Sequence, residues 1–290
     1  MMSSLFAIVA RRAPIAVIFR RGPSKRVLLI KWHLGTDKLD YGQWLKGRIY
    51  ERRCDLSPSG NLLIYFAASF KPPLYSWTAI SKPPFLTALA LWPKGDTWGG
   101  GGVFDSETAI QLNHRPEHHA MAPGFRLKKD MRIAPYGSRP GGGEDFPIYH
   151  SLLLRNGWTL VHKGEAGRPD RRSNAPWQYD MPITYEKLSG GGRRLQMQIR
   201  GAGKKMDTWY RVDHVVLDEA GQQLFALPRT SWADWSGRDL LFAKECKLFR
   251  LRTKNFSSYL NHGDKALKLV ADLSTLKFEE KVAPHKATMW

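Results

Sequence analysis

The sequence predicts an all-β fold made of antiparallel sheets that stack face to face. Short apolar runs follow one another closely and are bounded by Gly, Pro, Asn or Asp, which is typical of strands and turns. The run Leu62–Ala67 is apolar at every position, so we expect both faces of that strand to be buried. Because few segments have a helical pattern, other sheets rather than helices are expected to cover these faces.

A turn-and-strand motif recurs along the chain, at Cys54–Ala67 (CDLSPSGNLLIYFA), at Ala233–Ala243 (ADWSGRDLLFA) and more loosely at Val215–Ala226 (VVLDEAGQQLFA). Asp55 and Asp234 occupy matching places in the two better copies. They lie about four repeats apart if each repeat is a four-stranded blade of roughly 40–45 residues. The sequence therefore predicts a β-propeller of five or six four-stranded antiparallel blades, with long irregular loop insertions.

These two copies resemble the repeat of TolB-like and WD-repeat β-propellers, in which a Ser-Pro-Asp-Gly turn precedes an inner strand. In this sequence Ser59 stands where that aspartate would be, and the second copy has Ser236-Gly237-Arg238-Asp239 instead. The resemblance covers only these two segments. It implies blade architecture and no particular function.

The remaining elements follow from apolar runs between turn residues. We expect strands at residues 16–19, 27–33, 39–45, 49–53, 62–67, 76–81, 85–92, 151–155, 158–162, 184–188, 195–200, 209–217, 223–227, 240–243, 246–252 and 266–273, and a less regular one at residues 255–263. The Asn156-Gly157 pair predicts a hairpin between two of them. Only residues 106–112 and 264–273 have any helical pattern, and the second also fits a strand.

Two segments interrupt the strands and are predicted to be loop insertions of the kind that often carries function. Asn113–Phe146 is polar and rich in Pro and Gly, and Gly164–Asp180 is basic and irregular. Glycine runs occur within Thr97–Phe104 and at residues 141–143 and 190–192. They lack the spacing of a phosphate-binding loop, so we expect tight turns there.

Residues 1–14 are expected to be a lead-in and residues 15–290 a single domain. The N-terminal region is basic and free of acidic residues, which also fits an organelle presequence. No stretch reaches the about 18 apolar residues of a membrane span, so a soluble, cytoplasmic protein is predicted. Cys54 and Cys246 are too few for a disulfide scaffold and are expected to pack as small apolar residues.

The charge balance points to anionic partners. The chain has 45 Lys and Arg against 26 Asp and Glu, a net charge of +19. Basic residues beside aromatic ones suit phosphate contact and base stacking, although tryptophans of a blade core beside an ordinary basic surface would look the same. The candidate binding residues are Arg193, Arg194, Lys204, Lys205, Trp209, Arg171, Arg172 and Trp177.

The densest group of metal-ligand residue types is NHRPEHH. His114, His118 and His119 are weak candidates for a metal, because the spacing is not H-E-x-x-H and Arg115 adds an opposing charge. A solvated basic loop is the alternative, and we predict neither a metal nor another cofactor.

No catalytic residue is predicted. The carboxylates of Glu144, Asp145 and Asp213 could supply an acid and a base, but nothing in the sequence brings them together. We therefore expect a non-enzymatic binding module with a protein partner. The alternatives are a propeller that binds anions or nucleic acid through the basic residues, and a hydrolase with its active site at the channel mouth.

Overall fold

The computed structural model describes residues 3–166, 177–202 and 210–290. These residues are mostly β and form five sheets, each built from strands that are consecutive in sequence. The first sheet contains β1 (Ser4–Val9), β2 (Ile15–Arg21), β3 (Arg26–His33) and β4 (Lys38–Lys46), in that order. The second contains β5 (Arg48–Ile49), β7 (Leu63–Ala68), β8 (Ser76–Ser81) and β9 (Ala90–Pro93), and β6 (Asp55–Leu56) also pairs with β7.

The other three sheets follow the same sequential order. The third contains β10 (Gly102–Phe104), β11 (Ala109–Leu112) and β12 (Arg132–Pro135). The fourth contains β13 (Trp158–Ala166), β14 (Trp177–Leu188), β15 (Arg194–Ala202), β16 (Tyr210–Leu217) and β17 (Gln223–Leu227). The fifth contains β18 (Thr230–Ser236), β19 (Asp239–Lys244), β20 (Lys247–Leu251) and β21 (Lys268–Asp272). β11 and β12 pair in parallel, whereas β13–β17 and β18–β21 pair antiparallel throughout.

Helices are short and few in the described part of the chain. They are α1 (Phe146–Arg155), α2 (Phe256–His262) and the 3-10 turns Glu51–Arg53, Pro116–His118, Thr253–Asn255, Gly263–Ala266 and His285–Ala287. Within the described ranges, no helix combines the length and the apolar character needed to cross a membrane.

The chain divides into two compact units. The N-terminal unit consists of Ala7–Leu152 and Lys277–Trp290, and the C-terminal unit of Met1–Phe6 and Leu153–Leu276. The prediction of a single domain from residue 15 onward stays a prediction. Strand β1 lies within the predicted lead-in of residues 1–14.

The strands predicted from continuous apolar runs form largely as expected. β7 and β8 are buried at every position, which agrees with the prediction that both faces of this segment are covered. In the N-terminal unit, residues of the second and third sheets share one apolar cluster that includes Ile64, Trp92 and Phe104. Sheets rather than helices therefore cover these strands. Cys54 and Cys246 are free and buried, as small apolar residues would be.

Several local predictions were wrong. Residues 151–155 belong to α1 and not to a strand, because Ile148 and Leu152 lie one helical turn apart and pack together against Val103. The Asn156-Gly157 pair ends this helix instead of forming a hairpin, and the Gly157 N–H donates to the Leu154 carbonyl.

Three other segments also changed type. Residues 106–112, which have a helical pattern, contain strand β11, since Ile110 and Leu112 enter the apolar cluster on alternate positions. Residues 85–92 were expected to form one strand, but only residues 90–92 of this segment belong to β9. Residues 256–262 form α2, in which Phe256 and Tyr259 are the buried side chains.

The last residues of the chain pack on the N-terminal unit. The ring of Phe278 lies 6.1 Å from that of Trp44. Gln43 Nε2 donates to the Lys281 carbonyl at 2.9 Å, and Trp290 Nε1 donates to the Arg126 carbonyl at 2.8 Å. These contacts attach residues 277–290 along their length to the sheets of that unit.

Close packing at the glycine run makes Gly101 a sensitive position. Gly101 has a φ of +80°, and a Cβ there would lie 2.1 Å from the Arg53 carbonyl oxygen. We expect Gly101→Ala to lower the free energy of unfolding by roughly 3 kcal/mol, from backbone strain and the clash together. Gly95→Ala is the matched control, because Gly95 has a φ of +87° and a Cβ added there would have no atom within 4 Å.

Gly95→Ala is expected to cost about 1 kcal/mol, the strain of a positive φ alone. Urea unfolding followed by tryptophan fluorescence measures both variants. Equal losses of stability in the two variants would contradict the packing described for Gly101.

Candidate functional site

Two matching aspartates link sheets within their own units. Asp55 on β6 is buried, and its Oδ2 accepts a hydrogen bond of 2.7 Å from the Phe104 N–H on β10. Asp234 lies on β18, and its Oδ1 is 2.6 Å from Lys187 Nζ on β14. Each aspartate thus joins its own sheet to another sheet of the same unit, which is a structural role.

The strand register around these aspartates also matches. Asp55 pairs with Ile64 on β7, and Asp234 pairs with Leu241 on β19. In both copies a turn leads from the aspartate strand into a strand whose residues are nearly all buried. The two copies of the sequence motif are therefore equivalent in structure, and Asp55 serves the scaffold.

The histidine cluster is built into the N-terminal unit. His114 is fully buried, with its Nε2 at 2.7 Å from Thr78 Oγ1 and its Nδ1 at 3.0 Å from the His118 carbonyl oxygen. His119 Nε2 lies 2.9 Å from the His114 carbonyl oxygen. In the described part of the chain, no group of three His, Cys, Asp or Glu residues could hold a metal ion. Both ring nitrogens of His114 instead serve hydrogen bonds of the fold.

The glycine runs at residues 99–102 and 141–143 pack against each other through Asn113. The Gly141 N–H donates to Asn113 Oδ1 at 2.7 Å, and the Gly100 N–H donates to the Asn113 carbonyl at 2.8 Å. A Cβ on Gly100 would lie 2.4 Å from an aromatic carbon of the core. The Gly99, Gly100 and Gly141 N–H groups thus serve bonds within the fold, which favours the predicted structural role of the glycines.

The segment Asn113–Phe146 is more ordered than the predicted loop insertion. It contains β12 and the first residue of α1, and Met131 is buried in the apolar cluster. Asp145 is buried as well and pairs with Arg53, with 2.5 Å between its Oδ1 and the arginine Nε. The other predicted insertion, Gly164–Asp180, lies mostly outside the described residues.

Of the predicted binding residues, the structure describes the side chains of Arg193 and Arg194. Arg171, Arg172, Lys204, Lys205 and Trp209 lie outside the described residues, and only the backbone of Trp177, in β14, is described. The structure therefore does not address whether the predicted basic and aromatic residues come together. Their role in binding stays a prediction.

Arg193 and Arg194 have different surroundings. The guanidinium carbon of Arg193 lies 4.6 Å from the centre of the Phe256 ring. Arg194 donates from its Nη2 to the Glu219 carbonyl at 3.3 Å, and its Nη1 is 3.9 Å from Glu186 Oε2. The charge of Arg194 is thus partly balanced, whereas Arg193 is held on an aromatic ring.

The position of Arg193 is set by three chain segments that meet in the C-terminal unit. We call them the turn surface: Ser189–Arg193, Ser236–Asp239 and Arg252–Phe256. The Gly190 N–H donates to the Gly237 carbonyl at 3.0 Å, and the Thr253 N–H donates to Asp239 Oδ1 at 3.2 Å. These bonds hold the segments side by side.

Sequence reasoning missed three exposed basic residues of the turn surface, Arg238, Arg252 and Lys254. They are separated from Arg193 by 45 or more positions in the sequence, and their segments belong to the fifth sheet rather than the fourth. Contacts between turns, such as the bond from the Gly190 N–H to the Gly237 carbonyl, bring them together. The one local signal was an arginine within the Ser-Gly-Arg-Asp turn.

The carboxylates considered for acid–base chemistry have separate structural partners. Asp145 is buried against Arg53, and the exposed Asp213 accepts a hydrogen bond from Arg200. Glu144 is exposed. An ion pair, a hydrogen bond and exposure to solvent thus account for Asp145, Asp213 and Glu144 without an acid–base role.

Comparison with known proteins gives no family. No family model and no curated protein matches the chain. A solved structure from a structural and mechanistic analysis of two prolyl endopeptidases has a TM-score of 0.30 and 9% sequence identity, over 92% of this chain and 42% of that chain. Prolyl oligopeptidase B from Galerina marginata has a TM-score of 0.22 and 9% identity, over 91% of this chain and 33% of that chain.

The chain thus spans less than half the length of both structures. At these TM-scores the likeness supports no argument about fold or activity.

The buried histidine should make stability depend on pH. Burial lowers the pKa of His114 from 6.5 to about 3, and the nearby charges of Lys94, His119 and His118 act in the same direction. Below pH 6.5 the unfolded chain therefore binds a proton at this residue that the folded chain excludes. Stability contributed by neutral His114 is fully present above pH 6.5 and is lost as the pH falls toward 3.

We expect His114 to lower the free energy of unfolding of the wild type by about 2 kcal/mol when the pH falls from 7 to 5. His114→Gln should be less stable at pH 7, but the gap to wild type should shrink by about that amount at pH 5. Urea titrations at both pH values measure this difference, and the exposed His285 provides a control in His285→Gln. A gap that stays constant with pH would contradict a buried, neutral His114.

Proposed function

We propose that this chain is a non-enzymatic binding module built as a β-propeller, with one blade from each of the five sheets. The observation that carries the proposal is the strand order, since each sheet is made of sequence-consecutive strands, as in propeller blades. Five blades would lie within the five or six expected from the sequence. The matching Asp55 and Asp234 turns support the same repeated architecture, of the TolB-like and WD-repeat kind.

A binding role is supported by the contacts of the side chains that could otherwise act as an acid or a base. Asp55, His114 and Asp145 are buried and serve hydrogen bonds or ion pairs of the scaffold. By contrast, Arg238, Arg252 and Lys254 are exposed on the turn surface. Exposed charges that have no ion-pair partner among the described residues are suited to recognition, whereas Asp55, His114 and Asp145 are engaged in the scaffold.

We propose a protein as the partner and a cytoplasmic location for the complex. Nucleic acid is the second candidate, because the net charge of +19 favours any polyanion. The two differ in one measurable respect, since a partner bound through nucleic acid is released when the nucleic acid is digested.

The test is affinity purification of the full chain from its native cells, with quantitative mass spectrometry on nuclease-treated and untreated samples. We expect at least one protein to be enriched to the same extent in both samples. An unrelated bait of similar positive charge is the control, because it reports proteins that bind any basic surface. Enrichment that disappears after nuclease treatment would support the nucleic-acid alternative, and equal recovery on the control bait would contradict the proposal.

A further inference from the structure

The turn surface carries four basic side chains close to one another in the fold. Arg238, Arg252 and Lys254 are exposed, and Arg193 is partly buried over Phe256. Within the described ranges, none of these four side chains has a carboxylate oxygen within 4.0 Å of its charged nitrogen atoms. Their charges are therefore available to an external partner.

The side chains of Asp239 and Glu219 also lie at this surface. Asp239 lies in the same turn as Arg238, but its two oxygens take the Arg250 guanidinium at 3.3 Å and the Thr253 N–H at 3.2 Å. Glu186 lies beside Arg194, and the Glu219 side chain packs against Gly192, where an added Cβ would lie 2.9 Å from Glu219 Oε1. The four basic residues thus keep a local excess of positive charge.

The surface is held in place before any partner binds. Thr253 Oγ1 donates to the Arg238 carbonyl, in addition to the bond that its N–H makes to the same turn. Under Arg193, the ring of Phe256 is stacked on Trp235 at 6.3 Å, and Trp235 Nε1 donates to the Lys187 carbonyl at 2.9 Å. These bonds fix the backbone of the segments, and the Phe256 ring holds the Arg193 guanidinium. A guanidinium held in this way loses little conformational entropy on binding and suits bidentate contact with a carboxylate.

The apolar side chains favour a protein over a nucleic acid. Phe256, in the third segment, and Trp235, which precedes the second, are only 4% and 6% exposed, so they cannot stack on nucleic-acid bases. Leu188, which precedes the first segment of the turn surface, is 63% exposed. An exposed leucine near arginines that have no carboxylate within 4.0 Å in the described ranges matches a partner that carries both carboxylates and an apolar side chain.

We propose that the turn surface binds an acidic protein segment, with carboxylates on Arg193, Arg238, Arg252 and Lys254 and an apolar residue against Leu188. This inference rests on the proposed binding function and names the chemistry of its partner.

The test uses the full chain and a fluorescein-labelled peptide of alternating Glu-Glu-Leu units, measured by fluorescence anisotropy at low and physiological salt. Arg238→Glu/Arg252→Glu removes two exposed charges of the surface. Lys163→Glu/Lys265→Glu makes the same change in net charge at two exposed positions of the same unit outside the turn surface. We expect the first variant to bind at least roughly tenfold more weakly than wild type, and the second to bind within about twofold of wild type.

Two further measurements separate the partner classes. Leu188→Ser should weaken peptide binding by roughly threefold or more while the salt dependence stays unchanged, because it removes only apolar contact. A labelled oligothymidine of equal length should bind more weakly than the peptide and should not displace it.

The proposal is overturned if wild type does not bind the peptide, if both double variants lose affinity equally, or if oligothymidine displaces the peptide. Circular dichroism of each variant confirms folding. The two proposals can fail separately. If the affinity purification recovers a protein partner after nuclease treatment but the peptide does not bind, the turn surface is not the binding site, and the proposed binding function is still supported.

Discussion

The N-terminal unit depends on one buried ion pair, between Arg53 and Asp145. The two side chains are 2% and 10% exposed, and the pair joins positions 92 apart in the sequence. Arg53 Nη1 also donates to the carbonyls of Thr97 and Gly99, so one guanidinium holds the 3-10 turn after β5, the glycine run before β10 and the approach to α1. Removing either partner of such a pair leaves an unbalanced buried charge, which typically costs about 3–5 kcal/mol.

Around this pair, polar residues of the types that often form active or binding sites hold backbone segments together. Asn113 bridges two glycine runs, and His114 joins Thr78 to the loop that follows β11. The reason is burial, since a polar side chain inside the fold must find hydrogen-bond partners there. In the C-terminal unit, the turn surface brings several exposed basic side chains together from three separate segments. Recognition is therefore placed in the C-terminal unit in our proposals.

The sequence predicts well where local pattern and tertiary packing agree. The continuous apolar run of β7 could only be a covered strand, and the repeated aspartate turns foretold equivalent strand pairings at Asp55 and Asp234. Prediction from the sequence fails where tertiary packing decides which secondary structure a segment forms. Residues 151–155 are short and apolar, and only their contact with Val103 makes them helical. The turn surface could not be predicted, because Arg193 and Arg238 lie in turns of different sheets and come together only through contacts between those turns.

The placement of residues 277–290 bears on how the protein is made. The N-terminal unit is assembled from two pieces of chain, and the second piece is synthesised after the whole C-terminal unit has been translated. During translation the sheets within residues 7–152 are therefore formed before residues 277–290, which contain Phe278 and Trp290, can pack on them. Domains usually fold in the order of synthesis. Here the N-terminal unit would be completed only after residues 153–276 of the C-terminal unit have been synthesised, and until then the surface that Phe278 covers would be accessible to chaperones on the ribosome.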